Sequence, residues 1–477
     1  MSVDPPPVES LGRVHLVGVG GAGMSAIALL LAARGVAVSG CDSQEGPMLA
    51  HLRAQGVDVV VGHDPGHVAG SDTLVVSTAV RPTNPELVRA HEAGVRVLHR
   101  SAALAALMAG RRSVAVAGAH GKTTTSAMVA AILEAAGRDP SFAIGGTVGG
   151  LVGARHGSGT EFVAEADESD GSFLAYRPYV AVVTNVEPDH LDHYGDRAAF
   201  ERAFVDFTER IVPGGWLVAC ADDDGARRLA RAARDAGVAV RSYGTDPEAD
   251  VHISPWHPTP TGGVVELAER GADPVRLELR IPGAHNAANA AAAWTVARLL
   301  GIDGGAAADA LADFGLPGRR FTDRGSRGGV RVVDDYAHHP TEVAALLRAA
   351  REVAGGGRVL VLFQPHLYSR TRAFAAEFAE ALGAADLAVV TDVYAAREDP
   401  DDAVTGALIA DRIPGGMFVP DRLEAARRIA ALARPGDLVL TVGAGDVTDL
   451  APVVLEAVST DAPTDAPTDA PTDRSAE

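Results

Sequence analysis

Two cysteines in 477 residues, Cys41 and Cys220, stand far apart and show none of the paired spacings that mark a zinc site or a disulfide framework. Long apolar runs are missing too. No stretch approaches ~18 uninterrupted apolar residues and no signal peptide opens the chain, so neither membrane insertion nor export is expected and a cytoplasmic location is. Aromatic residues make up only 5% of the chain, while Ala and Gly are plentiful, a composition suited to closely packed α/β layers. A basic stripe is also lacking. The formal net charge of −20 argues against nucleic-acid binding, and any anionic substrate must be captured by local cations rather than by the global field. The length leaves room for about three domains of ordinary size.

The most informative stretch present runs from Arg112 to Met128. Ser113–Ala117 is a β-branched and apolar run, long enough for one buried strand. Gly118 and Gly121 bracket a turn, and Lys122-Thr123-Thr124-Thr125 opens a helix that stops at Gly137. Strand, glycine turn and Gly-Lys-Thr helix make a phosphate cradle. Backbone N–H groups and the helix N-terminus point at the anion, Lys122 adds a charge, and Thr123 offers a hydroxyl to Mg²⁺. The strict Walker spacing would put Gly at position 116, where Val116 stands. A glycine turn that merely precedes a lysine is the plain alternative; the expected ligand is ATP.

Earlier in the chain, Arg13–Gly18 reads as a strand, followed by a glycine turn and a helix through Ala33. Gly18, Gly20 and Gly23 fit a dinucleotide fingerprint, with Asp42 after the next strand. That pattern leaves NAD(P) and other nucleotides equally open. Further strands are expected at Val57–Val61, Thr73–Ser77 and Val95–Leu98. Beyond the phosphate loop, Glu161–Glu165 and Val180–Val186 read as buried strands. Each ends in a polar cluster: Glu165, Asp167, Glu168 and Asp170 after the first, and Glu187-Pro-Asp-His190 with His193 after the second. Ligands of parallel α/β sheets gather at the carboxyl ends of strands, so both clusters are expected beside Lys122 and suit Mg²⁺. His190 and His193 also suit zinc, although no thiolate is near in sequence. Asn286 or His285 caps or lines the start of an alanine-rich helix ending near Leu300. A third set of strands is expected at Val330–Asp334, Arg358–Phe363, Leu387–Thr391 and Asp437–Val442. The Asp-Ala-Pro-Thr repeats from Ser459 onward are acidic and proline-rich, a disordered tail by composition.

In order, Gly20-Gly-Ala-Gly-Met-Ser25, Gly121-Lys-Thr-Thr-Thr125, Glu165-Ala-Asp-Glu-Ser-Asp170, Asp189-His190, His285-Asn-x-x-Asn289, Gly318-Arg-Arg-Phe321 and Asp335-Tyr-x-His-His-Pro-Thr-Glu342 resemble the motifs of the Mur ligases. The resemblance runs from about Val14 to Leu450. Ala119 stands where the family usually has Thr, and Asp446 where Asn is common. The implied fold is α/β with three domains: a Rossmann-like UDP-sugar domain (1–110), a P-loop-type central ATPase domain (111–317) and a Rossmann-like C-terminal domain (318–458), with the tail at 459–477.

The activity implied by the resemblance is ATP-dependent joining of L-alanine to the lactyl carboxylate of UDP-N-acetylmuramate, through an acyl phosphate. Joining a peptide to the same sugar, a Rossmann oxidoreductase and a nucleotide-gated binding protein are the alternatives. ATP would be held by Gly118, Ala119, His120, Gly121, Lys122, Thr123 and Thr124, with His285, Asn286 and Asn289 around the base and ribose. Arg320 and Asp335 would reach the nucleotide from the third domain. Magnesium would fall to Thr123, Glu165 and His190. Lys122, Glu165, His190, Arg320 and Asp335 would thus carry catalysis. The UDP-sugar would meet Gly20, Gly21, Gly23, Met24, Ser25, Asp42, Ser43 and Ser77. Tyr336, His338 and Arg370 would contact the amino acid and carboxylate, although the Arg370-Thr-Arg372 run also reads as a solvated helix face. The implied state is a monomer or weak homodimer.

Overall fold

The computed structural model describes residues 5–148, 151–189, 191–396 and 398–458; the expected tail 459–477 and the metal candidate His190 lie outside the described residues. The chain forms two compact units, passing from one to the other between Gly318 and Arg319.

In the first unit, five parallel strands stand in the spatial order Asp58–Val61, Val38–Asp42, Val14–Val17, Thr73–Val76 and Arg96–His99. This is the strand order of a Rossmann half, with the direction of winding reversing beside Val14–Val17. Central strands of a parallel sheet are covered on both faces, which is why Val14, Leu16 and Val17 are all buried. The helix Ala22–Ala33 covers this sheet through Ile27 and Leu31 and also lies against the hairpin Ser141–Val148 and Leu151–Arg155 of the next sheet. One continuous core therefore runs under both sheets.

The second sheet has a parallel centre in the order Trp216–Cys220, Val180–Val183, Arg112–Ala117, Glu161–Glu165 and Ser141–Val148. Arg112–Ala117 thus lies between the two strands expected to carry polar clusters, and all three present their carboxyl ends on one edge. An antiparallel meander of His257–Thr259, Gly262–Glu269 and Val275–Leu279 extends the far side. The sequence reading assigned no strands there. His257–Thr259 is exposed throughout and Gly262–Glu269 opens on two glycines, so neither shows the apolar signature of a buried strand.

The second unit carries its own sheet, in the order Thr322–Arg327, Val330–Asp335, Leu438–Val442, Val359–Phe363, Leu387–Val390 and Met417–Phe418, parallel except for its first edge strand. Helices Pro340–Ala354 and Tyr368–Leu382 cover one face through Val343, Leu346 and Phe378. Helices Arg422–Leu432 and Leu450–Ala457 cover the other through Ile429, Leu450 and Val454. The expected α/β class, Rossmann-like at both ends and P-loop-like between, is the fold observed.

Candidate active site

The strand Arg112–Ala117 runs into Gly118, and the helix Lys122–Ala135 starts from Gly121 at φ +83°, a left-handed conformation that glycine adopts without strain. The turn is closed from outside by the residues that follow Val180–Val183. Thr184 Oγ1 donates to the His120 carbonyl at 2.6 Å. Asn185 accepts from the His120 N–H at 3.2 Å and donates back to the His120 carbonyl at 3.0 Å. The strand was expected to continue to Val186. It stops at Val183 because Thr184 and Asn185 are used to brace the loop instead. A Cβ at Gly118 would fall 2.2 Å from Thr184 Oγ1, so the brace and the glycine require one another.

Gly121 caps its helix with no side chain, and Gly21 does the same for Ala22–Ala33. Elsewhere Asp196, Asp223 and Asp303 fill that position and accept the first helical N–H groups. Helix N-termini left without a side-chain acceptor at two glycine turns suit anionic ligands.

Lys122 reaches back across its own loop. Its ammonium donates to the Gly118 carbonyl at 2.6 Å, the Ala119 carbonyl at 3.2 Å and Glu168 Oε1 at 2.8 Å. Burial would lower its pKa, but Glu168, Asp167 and Glu165 outweigh burial and hold it above the ordinary lysine value. Glu168 has a side chain only 1% exposed, and burial pushes its pKa up to about 7 against the pull of Lys122. Sequence reasoning placed Glu168 in the acidic run without giving it a part. The signal available was its position three residues past Glu165, where the chain turns back across the edge of the sheet. Glu165 accepts from the Gly145 N–H at 2.8 Å, which orients its carboxylate.

From this cluster the site continues toward the first sheet. Arg100, at the start of a helix beside that sheet's carboxyl edge, donates to Asp167 at 2.7 Å and lies 3.5 Å from Asp170. Thr78 also donates to Asp170. The Asp167 carboxyl is held well below the usual range, since Arg100 and Lys122 outweigh the cost of burial. Arg100 and Thr78 were not foreseen, because nothing in sequence links them to residues about 70 to 90 positions later.

A cleft of about 780 Å³ opens here, lined by Gly18, Gly21, Gly23, Met24, Asp42, Ser43 and Ser77 among the expected residues, and by Arg81, Arg100 and Asp167. Asp42 turns one oxygen inward and accepts from the Gly20 N–H at 2.9 Å, so it shapes the glycine turn as well as lining the cleft. A Cβ at Gly20 would lie 2.9 Å from both Asp42 Oδ2 and Leu49, so those side chains would have to shift to admit one. Ser25 is fully buried and bonds back to the Ala22 carbonyl at 3.0 Å, bracing the first turn of the helix rather than lining the cleft.

Asn286 and Asn289 are likewise buried. Asn289 Oδ1 accepts from Thr125 Oγ1 at 3.3 Å and sits 2.7 Å from where a Gly121 Cβ would be, while Asn286 donates to the Pro282 carbonyl at 2.8 Å. Both sit on the helix Ala284–Leu299, which packs along Lys122–Ala135, so the pair fixes the back of the phosphate loop. His285 is exposed at the start of that helix.

In the second unit, Asp335 is buried at the end of its strand and accepts from the Phe321 and Ala337 N–H groups at 2.7 and 2.8 Å. Burial nonetheless pushes its carboxyl up to about 6. The Arg320 guanidinium lies over the Tyr336 ring at 5.3 Å and 3.6 Å from Glu342. Arg319 stacks on the same ring and donates to the Gly443 carbonyl at 2.6 Å. His338 and His366 face each other with ring centroids 6.0 Å apart, and Arg370 lies 3.4 Å from His366. The open question about residues 370 and 372 is thereby divided: Arg370 is 5% exposed and turned inward, while Arg372 is exposed and pairs with Asp401. Residues two apart on a helix point away from each other.

Fold and site together define an ATP-binding α/β protein with a second glycine-turn cleft in the same unit. Residues 13–112, 116–297 and 319–445 match, in turn, the family descriptions "Mur ligase family, catalytic domain", "Mur ligase middle domain" and "Mur ligase, glutamate ligase domain". The chain belongs to the Mur ligase family. It is 61% identical over 461 residues to the UDP-N-acetylmuramate–L-alanine ligase of Kineococcus radiotolerans, covering 95% of this chain and 97% of that one. The protein of the same name from Paenarthrobacter aurescens is 55% identical, with 94% and 98% covered. Among solved structures, the UDP-N-acetylmuramate-alanine ligase of Thermotoga maritima superposes with a TM-score of 0.78 at 29% identity, over 93% of this chain and 98% of that one. No helix among the described residues is long and apolar enough to cross a membrane.

Proposed function

We propose that this chain joins L-alanine to the lactyl carboxylate of UDP-N-acetylmuramate while converting ATP to ADP and phosphate, in the synthesis of peptidoglycan precursor in the cytoplasm. The observation that carries the reading is the run of charge from Lys122 through Glu168 and Asp167 to Arg100. It joins a phosphate loop to the end of a cleft lined by glycines. A UDP-sugar seated on the Gly18–Gly23 turn would present its far end at Asp167, beside the loop that holds ATP.

A carboxylate is a poor electrophile and a good phosphoryl acceptor, so activation comes first. A carboxylate oxygen of the sugar attacks the γ-phosphorus of ATP, and the bond to ADP breaks. The amine of alanine then attacks the acyl carbonyl, loses a proton, and expels phosphate as the amide forms. Lys122 swings from its loop carbonyls and Glu168 onto the phosphates and follows the charge as it moves. Gly118, Ala119, His120, Gly121, Thr123 and Thr124 present backbone and hydroxyl donors to the same phosphates. Thr123 and Glu165 are oxygen donors of the kind a hard cation takes, with His190 as a further candidate outside the described residues. Magnesium, when bound there, neutralises charge on the phosphates. Arg320 and Asp335 are the proposed nucleotide contacts of the second unit, with Tyr336, His338 and Arg370 for the amino acid and carboxylate. The inward turn of Arg370 beside His366 supports its part.

The relatives at 61% and 55% identity favour alanine over a peptide as the second substrate. Phosphate release should require UDP-N-acetylmuramate, ATP, Mg²⁺ and alanine together. Equal release with glutamate or a tripeptide in place of alanine would overturn the assignment.

A further inference from the structure

Against the first sheet, four side chains from four separate elements converge. His15 comes from Val14–Val17, Cys41 from Val38–Asp42, His67 from the short turn Pro65–Val68, and Glu86 from the helix Pro85–Ala93. One ligand-type atom of each lies within 4.8 Å of the others. His15, Cys41 and Glu86 are 1%, 0% and 0% exposed. Glu86 accepts from the Cys41 thiol at 2.9 Å, from the Asp64 N–H at 3.2 Å, and stands 2.7 Å from His67 Nδ1. His63 Nδ1 adds a fifth group, 3.3 Å from Cys41 Sγ and 3.6 Å from Glu86.

A buried carboxylate held by donors accounts for part of this arrangement but not for His15. Its Nδ1 lies 2.8 Å from the Ser39 hydroxyl, while its Nε2 is buried without a hydrogen-bond partner and faces Glu86 Oε2 at 3.9 Å. Burial lowers the His15 pKa, which favours the neutral ring. When Nδ1–H is given to Ser39, a bare Nε2 lone pair is aimed at a carboxylate. In that tautomer two acceptors face each other in a dry pocket, and either a proton moved to Nε2 or a cation between them resolves the conflict. An imidazole whose other nitrogen is tied to a hydrogen-bond partner is also how metal-ligating histidines are usually oriented.

We infer that His15, Cys41, His67 and Glu86 form a site for a borderline-soft divalent transition metal of the zinc class, with His63 at its entrance. One sulfur, two imidazole nitrogens and one carboxylate oxygen are a donor set that zinc takes in four-coordinate sites, whereas magnesium takes oxygen alone. Charge balances as well: one thiolate and one carboxylate neutralise a dication. On binding, the thiol proton leaves to solvent and His67 carries its proton on Nε2, freeing Nδ1. His63 and His67, with side chains 28% and 26% exposed, provide the way in. His63 also lines the 780 Å³ cleft, as do Asn84 and Pro85 immediately before Glu86. A bound ion would therefore tie together two strands, a turn and a helix that shape one wall of the nucleotide-sugar cleft. Sequence spacing gave Cys41 no such part, because its partners lie 26 to 45 positions away on other elements.

The test is titration of chelator-treated full-length protein with Co²⁺ in the absence of ATP and magnesium, followed by near-ultraviolet absorption. Expected is a thiolate-to-cobalt band that saturates at one equivalent per chain and is displaced by Zn²⁺. Cys41→Ser should abolish the band and Cys220→Ser should keep it. Should Cys41→Ser fail to fold, the double change His63→Gln and His67→Gln reads the same site from its exposed side. It should weaken Co²⁺ binding by more than the roughly 10–100-fold seen for outer-sphere changes. No thiolate band in the wild-type protein, a band that survives Cys41→Ser, or unchanged affinity in the double variant would overturn the assignment.

Discussion

Lys122 and Glu168 are best understood as one unit. In the structure the ammonium is satisfied by two loop carbonyls and a buried carboxylate, so it passes to phosphate without ever being left bare in the protein. Lys122→Ala should lower kcat by roughly 10²–10³-fold or more, the usual scale for removing a preorganised charge from a transferring group. It should also change how stability depends on pH. Glu168 in the folded protein sits at about 7, above its ordinary value of 4.5, so its contribution is fully present below about 4.5 and lost as pH rises through 7. Without Lys122 its folded value climbs further, and the loss continues to higher pH. The stability gap between wild type and variant should therefore widen above pH 7. Urea midpoints at pH 6, 7 and 8.5 check this; a gap that is constant or narrows would mean Glu168 is not governed by the lysine. Lys122 was legible from its motif. Glu168 was not, since only the fold brings residues 46 apart to within 2.8 Å.

At the scale of elements, the phosphate loop depends on a neighbouring strand ending early. Thr184 and Asn185 have the composition of a strand continuation, and the sequence pattern extended the strand through them to Val186. Their hydrogen bonds to His120 turn them into a clamp. Gly118 and Gly137 provide a matched pair of tests. Both have positive φ, at +130° and +69°, but a Cβ at Gly118 strikes Thr184 while one at Gly137 meets nothing within 4 Å. Gly137→Ala should cost about 1–2 kcal/mol of stability from the left-handed conformation alone and leave the KM for ATP unchanged. Gly118→Ala should displace the clamp and raise that KM at least tenfold. An unchanged KM for ATP in Gly118→Ala would show that the Thr184 contact does not hold the loop. The glycines were legible as turn residues. Which of them was sterically required was not, because that depends on a strand distant in sequence.

For the whole molecule, the division at Gly318 and Arg319 predicts independent folding. The first unit has one core running under two sheets, whereas the second has cores of its own on both faces of a six-stranded sheet. A fragment 319–458 should fold cooperatively by itself, and calorimetry of the full chain should show a ratio of calorimetric to van't Hoff enthalpy above one. A ratio of one, together with an unfolded fragment, would show that the second unit needs the first. The 1–110 and 111–317 segments share a core, so the first sheet cut away alone should not reach native stability.

The sequence by itself determined the α/β class, the two glycine turns, the cation at Lys122 and the family, because these reside in short ordered runs whose chemistry is local. A buried strand, a turn and a helix start are each specified within about ten residues. Tertiary structure alone decided that Glu168 answers Lys122, that Arg100 joins the cleft to the acidic cluster, that Arg370 turns inward while Arg372 does not, and that Cys41 meets two imidazoles and a carboxylate. Each of those depends on which strands lie side by side and where they stop. Parallel sheets bring the ends of distant strands to one edge, and no spacing along the chain records which side chains meet there.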